Sequence, residues 1–140
     1  MLKGKSALLT GSTAGLGLAI ARKLAGNGCN VVLNGLVPPD QMEPALQAIK
    51  SEFGVDAAYH RVDLSQPADI GKMIAAVSER FGGVDILVNN AVVRHFAPIE
   101  AFPIERWNDA LAINVSAPFH AIRLALPGMR ARGWGRIINM

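Results

Sequence analysis

Thr10-Gly-Ser-Thr-Ala-Gly-Leu-Gly17 is the stretch on which the reading of this chain turns. Ahead of it, Ser6 to Thr10 is a short apolar run of the kind expected for a central strand buried on both faces. Behind it, from Ala14, the residues Leu16, Ile20 and Leu24 recur every four, which predicts a helix that Gly28 closes. In a strand-turn-helix of this spacing Gly11 allows the sharp exit from the strand, Gly15 lets a pyrophosphate approach the backbone, and Gly17 lets the helix pack close to the sheet. The helix start adds free N–H groups and a positive dipole end. A glycine-rich turn alone is equally a tight connection; the strand before it and the helix after it make the phosphate-binding reading the stronger one. No Gly-Lys-Ser/Thr ending follows, which disfavours an ATP or GTP phosphate loop.

Working outward, strand-like and helix-like segments alternate. Asn30 to Asn34 predicts a second strand, and Val55 to Val62 a third. Between them Asp40 as N-cap and Glu43 as its capping-box partner predict a helix through Leu46, Ile49 and Phe53. Ser65 is the expected cap of a helix running through Ile70, Ile74, Val77 and Phe81 and broken by Gly82-Gly83. Val84 to Val88 predicts strand four, two helices cover about 103–113 and 117–132, and Arg136 to Asn139 begins strand five. Such alternation implies an α/β fold with a doubly wound parallel sheet, in which ligands bind beyond the C-terminal strand ends.

The chain has 140 residues, 51% hydrophobic and 18% charged, which favours a well-buried domain over disorder. It has no apolar run of membrane-spanning length and no secretory signal. The single Cys29 forms no internal disulfide and has no metal-spaced partner, so a reducing cytoplasm is the expected compartment and no metal site is expected. The net charge of +3 raises the question of nucleic acid. The one-sided stretch Arg123, Arg130, Arg132 and Arg136 reads as a solvated helix face, however, and neither nucleic acid nor membrane is an expected partner.

With Asp63-Leu64 after strand three, Asn89-Asn-Ala91 after strand four, and Asn114 further on, the turn at 10–17 resembles the short-chain dehydrogenase/reductase family. The resemblance runs over 1–140. Met1-Leu-Lys-Gly-Lys5, Val32-Leu-Asn-Gly35, Trp107 and Gly133-Trp-Gly-Arg-Ile-Ile-Asn139 are most similar to its bacterial D-3-hydroxybutyrate dehydrogenase branch. It implies a Rossmann-like fold, of which 1–140 would be the NAD(P)-binding domain with its first five strands. The activity it implies is hydride transfer between NAD and a 3-hydroxy acid such as D-3-hydroxybutyrate, giving acetoacetate.

Carried across by residue, the resemblance assigns Gly11, Thr13, Gly15, Leu16 and Gly17 to the pyrophosphate, Asp63 and Leu64 to the adenine, and Asn90 and Ala91 to the ribose. Ser12, Leu36 and Ile113 complete the expected cofactor set. Asn114 matches the Asn of the family's Asn-Ser-Tyr-Lys set, where it would organise a water of the proton relay. Plainer readings stay open: Asp63 as an Asx turn before Ser65, Asn89-Asn90 as a strand-ending turn, Asn114 as a helix-terminal residue.

NAD is expected as the cofactor. Leu33-Asn-Gly-Leu36 ends strand two without the ribose-holding acid, but no Arg stands at 12–16 or 34–37 to hold the extra phosphate of NADP. Two departures from the family bear on the substrate. Val92 replaces a Gly and would be strained at positive φ, and Arg94 stands where the relatives use Gln, as a stronger candidate partner for a substrate carboxylate. His60, His95 and His120 have no ligand spacing. The family's catalytic Ser and Tyr-x-x-x-Lys are missing, and Tyr59, the only Tyr, has no Lys four residues on. Since 135–140 reads as a strand in progress, the expectation is a first half, inactive alone, of an enzyme that is a homotetramer when complete. A non-catalytic NAD-binding module and a reductase of other oxo substrates, such as 3-oxoacyl thioesters, are the alternatives.

Overall fold

The computed structural model describes residues 2–140. β1 (Ser6–Leu9), β2 (Asn30–Gly35), β3 (Ala57–Arg61), β4 (Ile86–Asn89) and β5 (Arg136–Asn139) form one sheet in the order β3-β2-β1-β4-β5. Every pairing is parallel. The order runs outward from β1 in one direction and then returns to add β4 on its other side. The crevice between β1 and β4 is therefore the topological switch where doubly wound sheets bind ligands.

Successive strand residues face opposite sides, and the core divides accordingly. Ala7, Leu9, Val31, Leu33, Ile86 and Val88 pack in one half with residues of α1 (Gly15–Ala25) and α2 (Pro39–Phe53). Leu8, Val32 and Leu87 pack in the other with α3 (Pro67–Phe81) and α5 (Ala117–Ala131). Burial on both faces explains why the central strands read as unbroken apolar runs.

Helix starts depart from the expected caps. α2 begins at Pro39 with Pro38 as N-cap, because proline is pre-organised for the first helical position; Asp40 lies in the first turn, and Glu43 accepts from Gln47 Nε2 instead of closing a capping box. α3 is capped by Gln66 without a side-chain bond, again with Pro67 first, while the Ser65 amide donates to Asp63 Oδ1. α1 ends at Ala25, and Gly28 closes the following turn through its N–H to Ala25 O. In place of two separate helices, α4 (Ile104–Leu111) runs through a π-helical turn, Ala112–Ser116, directly into α5. Helical backbone at Ser116 and Ala117 leaves no break there.

Arg123, Arg130, Arg132 and Arg136 are all exposed, but Arg132 is also tied to the sheet. Its Nε donates to Asp85 Oδ1 at 3.1 Å, and its other nitrogens donate to Gly82 O and Val84 O. Asp85 is buried and also accepts the Ser6 N–H, so this pair ties the end of α5 to the starts of β1 and β4.

Candidate functional site

An open cleft of roughly 630 Å³ lies over the C-terminal ends of β1, β2 and β4, within the range of small-molecule and cofactor sites. The turn after β1 forms its floor. A Cβ on Gly11, which has φ +59°, would lie 2.7 Å from Ala91 Cα; one on Gly17 would lie 2.5 Å from Gly11 O and 2.7 Å from Asn90 Nδ2. Only glycine fits either place. Above Gly15, with φ +56°, the corresponding space is open, and α1 starts there with no side-chain cap on its amides. An uncapped helix N-terminus beneath an open glycine cradle suits a dinucleotide pyrophosphate.

Side chains stitch the turn to its neighbours. Thr10 Oγ1 accepts the amides of Asn90 and Ala91 at 3.0 and 3.1 Å, and Asn90 Nδ2 donates back to Thr10 O and Gly11 O. Asn34, 1% exposed, accepts weakly from Gly11 N at 3.4 Å and donates to His60 O and Val62 O at 3.2 and 3.1 Å. One buried amide thus ties the floor to the ends of β2 and β3. Ser12 is likewise buried, donating to Leu9 O and accepting from Asn34 N; its side chain fastens the turn and does not face the cleft.

Of the residues singled out from the sequence, Gly11, Leu16, Gly17, Leu36, Asp63, Leu64, Asn90, Ala91, Arg94 and Ile113 line the cleft together. Leu16 and Leu36 are 58% and 61% exposed, apolar surfaces open to an incoming ring. Asp63 makes the Asx turn through Oδ1 and keeps Oδ2 available. Thr13, Gly15 and Asn114 lie outside the lining. Asn114, set in the π-helical turn, clasps Val93 at two points: Oδ1 accepts the Val93 N–H and Nδ2 donates to Val93 O, each at 2.9 Å. Both ends of the amide are engaged, so this side chain holds the loop at 92–94.

No residue other than glycine has positive φ among the described residues, so Val92 is accommodated without the anticipated backbone strain and leaves its side chain half exposed on the cleft wall. Arg94 is exposed and, with Val93, shared between the cleft and a side pocket lined by His95, Phe102, Trp107 and Asn114. His95 meets Phe102 edge-on, as Phe102 does Trp107. Ala14, Val62 and Val93 also line the cleft and escaped the sequence reading, as do Asn34 and Gly35, which the sequence marked only as a strand end without an acid. For Asn34 the signal was a polar residue at the end of an apolar run, visible but uninterpretable without its partners.

Burial, then Arg80, holds His60 below its usual value; burial pushes up the Cys29 thiol and the Tyr59 hydroxyl, which donates to Val37 O. No helix is long and apolar enough to cross a membrane, and no three His, Cys, Asp or Glu gather as metal ligands among the described residues.

A parallel sheet with a glycine cradle at its switch point defines a dinucleotide-binding α/β protein. The short chain dehydrogenase family model matches residues 5–140, and the chain belongs to that family. It is 48% identical over 136 residues to D-beta-hydroxybutyrate dehydrogenase of Rhizobium meliloti, covering 97% of this chain and 53% of the relative. It is also 48% identical over 140 residues to the protein of that name in Cupriavidus necator, covering 100% and 54%. Among solved structures, L-sorbose reductase of Gluconobacter frateurii, complexed with NADPH and L-sorbose, superposes with TM-score 0.92 at 38% identity, covering 98% of this chain and 52% of that one. NAD+-bound xylitol dehydrogenase gives 0.89 at 31%, covering 99% and 53%. The chain spans about half the length of the curated relatives it matches.

Proposed function

We propose that this chain is the NAD-binding part, 1–140, of an oxidoreductase that moves hydride between NAD and a small 3-hydroxy acid such as D-3-hydroxybutyrate. The observation that carries the reading is the glycine-floored cleft at the switch point, bordered at one end by the exposed Leu36 and Asp63 and at the other by Arg94. The cofactor, when bound, supplies the hydride donor or acceptor. Gly11, Gly15 and Gly17 let the pyrophosphate reach the amides of the α1 N-terminus, Leu36 and Leu64 flank the adenine, and Asp63 Oδ2 accepts its amino group. Asn90, Ala91 and Ile113 bound the ribose nearer the chemistry.

Arg94, where the cleft and the aromatic side pocket meet, offers a substrate carboxylate a two-point hydrogen-bonding partner. Asn114 acts on that region by holding Val93 in place. The 48% identity to two D-beta-hydroxybutyrate dehydrogenases favours a hydroxy acid over a polyol. NAD goes with the lack of any cation in the β1–α1 turn or at the end of β2. A homotetramer in the cytoplasm is the assembly we attach to this reading; the exposed helical stripe Ile104, Trp107, Leu111, Val115 and Phe119 supports further association.

Turnover needs an acid/base and a substrate-orienting hydroxyl, which the family resemblance puts on a Ser and Tyr-x-x-x-Lys segment accompanying this chain. Two measurements test the proposal. The chain itself should quench or shift NADH fluorescence on binding. The protein carrying it together with that segment should produce NADH from D-3-hydroxybutyrate faster than from xylitol or gluconate. Absence of cofactor binding, or preference for a polyol, overturns the reading.

A further inference from the structure

Resting on the reading of the cleft as a nicotinamide dinucleotide site, we propose that Arg61 on β3 is the residue that admits NADP(H) to this chain, by taking the phosphate on the 2′ position of the adenosine ribose. Discrimination at that position ordinarily falls to the end of strand two: an acid for the free hydroxyl, an arginine nearby for the phosphate. Neither is available here. The Asn34 amide is consumed by Gly11, His60 and Val62, and Gly35 carries no side chain. A Cβ at Gly35 would collide with Thr13 Cγ2, so the turn after β1 already fills the direction a side chain would take.

The sheet brings a cation to the vacant corner. β2 and β3 pair in parallel with Leu33 opposite Tyr59 and Gly35 opposite Arg61. Leu33 and Tyr59 both pack in the core half beneath α1 and α2, and side chains two residues on share that face. Arg61 therefore projects from the face on which Thr13 covers Gly35, one strand spacing of about 4.8 Å away. It is exposed, and its side chain has no hydrogen bond or ion pair among the described residues. Arg61 lies outside the lining of the cleft, next to Val62 and opposite Gly35, which belong to it, and a long guanidinium at that rim is the group a phosphate monoester takes. Along the chain Arg61 stands far from both segments where such a cation is ordinarily sought; pairing alone makes it a neighbour of Gly35.

The test is a fluorescence titration of the chain with NADPH and with NADH, repeated for Arg61→Gln, with far-ultraviolet circular dichroism to confirm that the variant is folded. The wild type should bind the two cofactors within about tenfold of each other, and Arg61→Gln should weaken NADPH about tenfold or more while leaving NADH nearly unchanged, the loss of one charge-assisted contact. Raising salt should weaken NADPH binding in the wild type and much less in the variant. NADH binding with NADPH excluded, an unchanged NADPH affinity in the variant, or equal loss of both cofactors overturns the proposal alone. Binding of neither cofactor to the wild type overturns the dinucleotide reading and the proposal with it.

Discussion

Replacing Asn34 by Asp puts an acid at the end of strand two, beside the position where NAD-selective sites usually carry one, and here it should damage the fold. The Asn34 Nδ2 group donates two hydrogen bonds, to His60 O and Val62 O, from a residue 1% exposed. The introduced carboxylate, once ionised, only accepts, and it would face two carbonyl oxygens in a buried site with Gly11 N, 3.4 Å from the present Oδ1, as its one donor. Asn34→Leu removes the same two bonds without adding a charge and should cost about 2 kcal/mol. Asn34→Asp should cost about 3–5 kcal/mol at neutral pH, an uncompensated buried charge being the dominant part.

The two variants separate by pH. In Asn34→Asp the folded-state pKa is raised above the unfolded value of about 3.9, so the folded state binds more protons between the two. Stability then falls as pH rises through that window, by up to about 1.4 kcal/mol per pH unit, and the variant recovers in mild acid. Urea denaturation of both variants at several pH values measures this. With a slope of about 1–3 kcal/mol per molar, the Asn34→Asp midpoint at neutral pH should drop by more than about 1 M. Asn27→Ala, which loses only an exposed bond to Lys23 O, should stay within about 0.5 kcal/mol of the wild type. An Asn34→Asp variant as stable as Asn34→Leu at neutral pH, with no recovery in acid, would refute the assignment of two donated bonds to this amide.

Arg132→Ala breaks three donated bonds, one of them the partly buried pair with Asp85, and should cost about 2 kcal/mol, whereas Arg136→Ala, which loses an exposed bond to Gly135 O, should cost less than about 0.5 kcal/mol. Equal urea midpoints for the two would show that the contacts of Arg132 with Asp85, Gly82 and Val84 contribute nothing to stability. Gly17→Ala forces a methyl to within 2.5 Å of Gly11 O and should displace the floor of the cleft, lowering NADH affinity by about tenfold or more and stability by about 1–3 kcal/mol. Unchanged NADH binding by a folded Gly17→Ala chain would remove the close-packing argument for that glycine.

The parallel α/β architecture and the position of its ligand site were legible along the chain. Apolar runs such as Val31 to Leu33 carry their own evidence of two-sided burial, and the spacing of Gly11, Gly15 and Gly17 reports a local backbone geometry that needs no distant partner. Helix starts were less legible, since Asp40 and Ser65 have capping side chains while the neighbouring prolines impose the actual first turns. The linkage of 104–131 through a π-helical turn depends on how the helix packs and on the clasp between Asn114 and Val93.

What the sequence determined by itself was therefore local: strand, turn and helix, and the glycine cradle between them. Tertiary structure decided which polar side chains are already spent and which remain free. Asn34, Ser12 and Arg132 look available in the linear chain but are held by backbone groups or a carboxylate distant in sequence; Arg61 looks remote from the glycine turn yet pairs opposite Gly35. The physical reason is that a hydrogen-bonding group or a charge is defined by its partners, and in a parallel sheet those partners arrive from strands separated by an entire crossover.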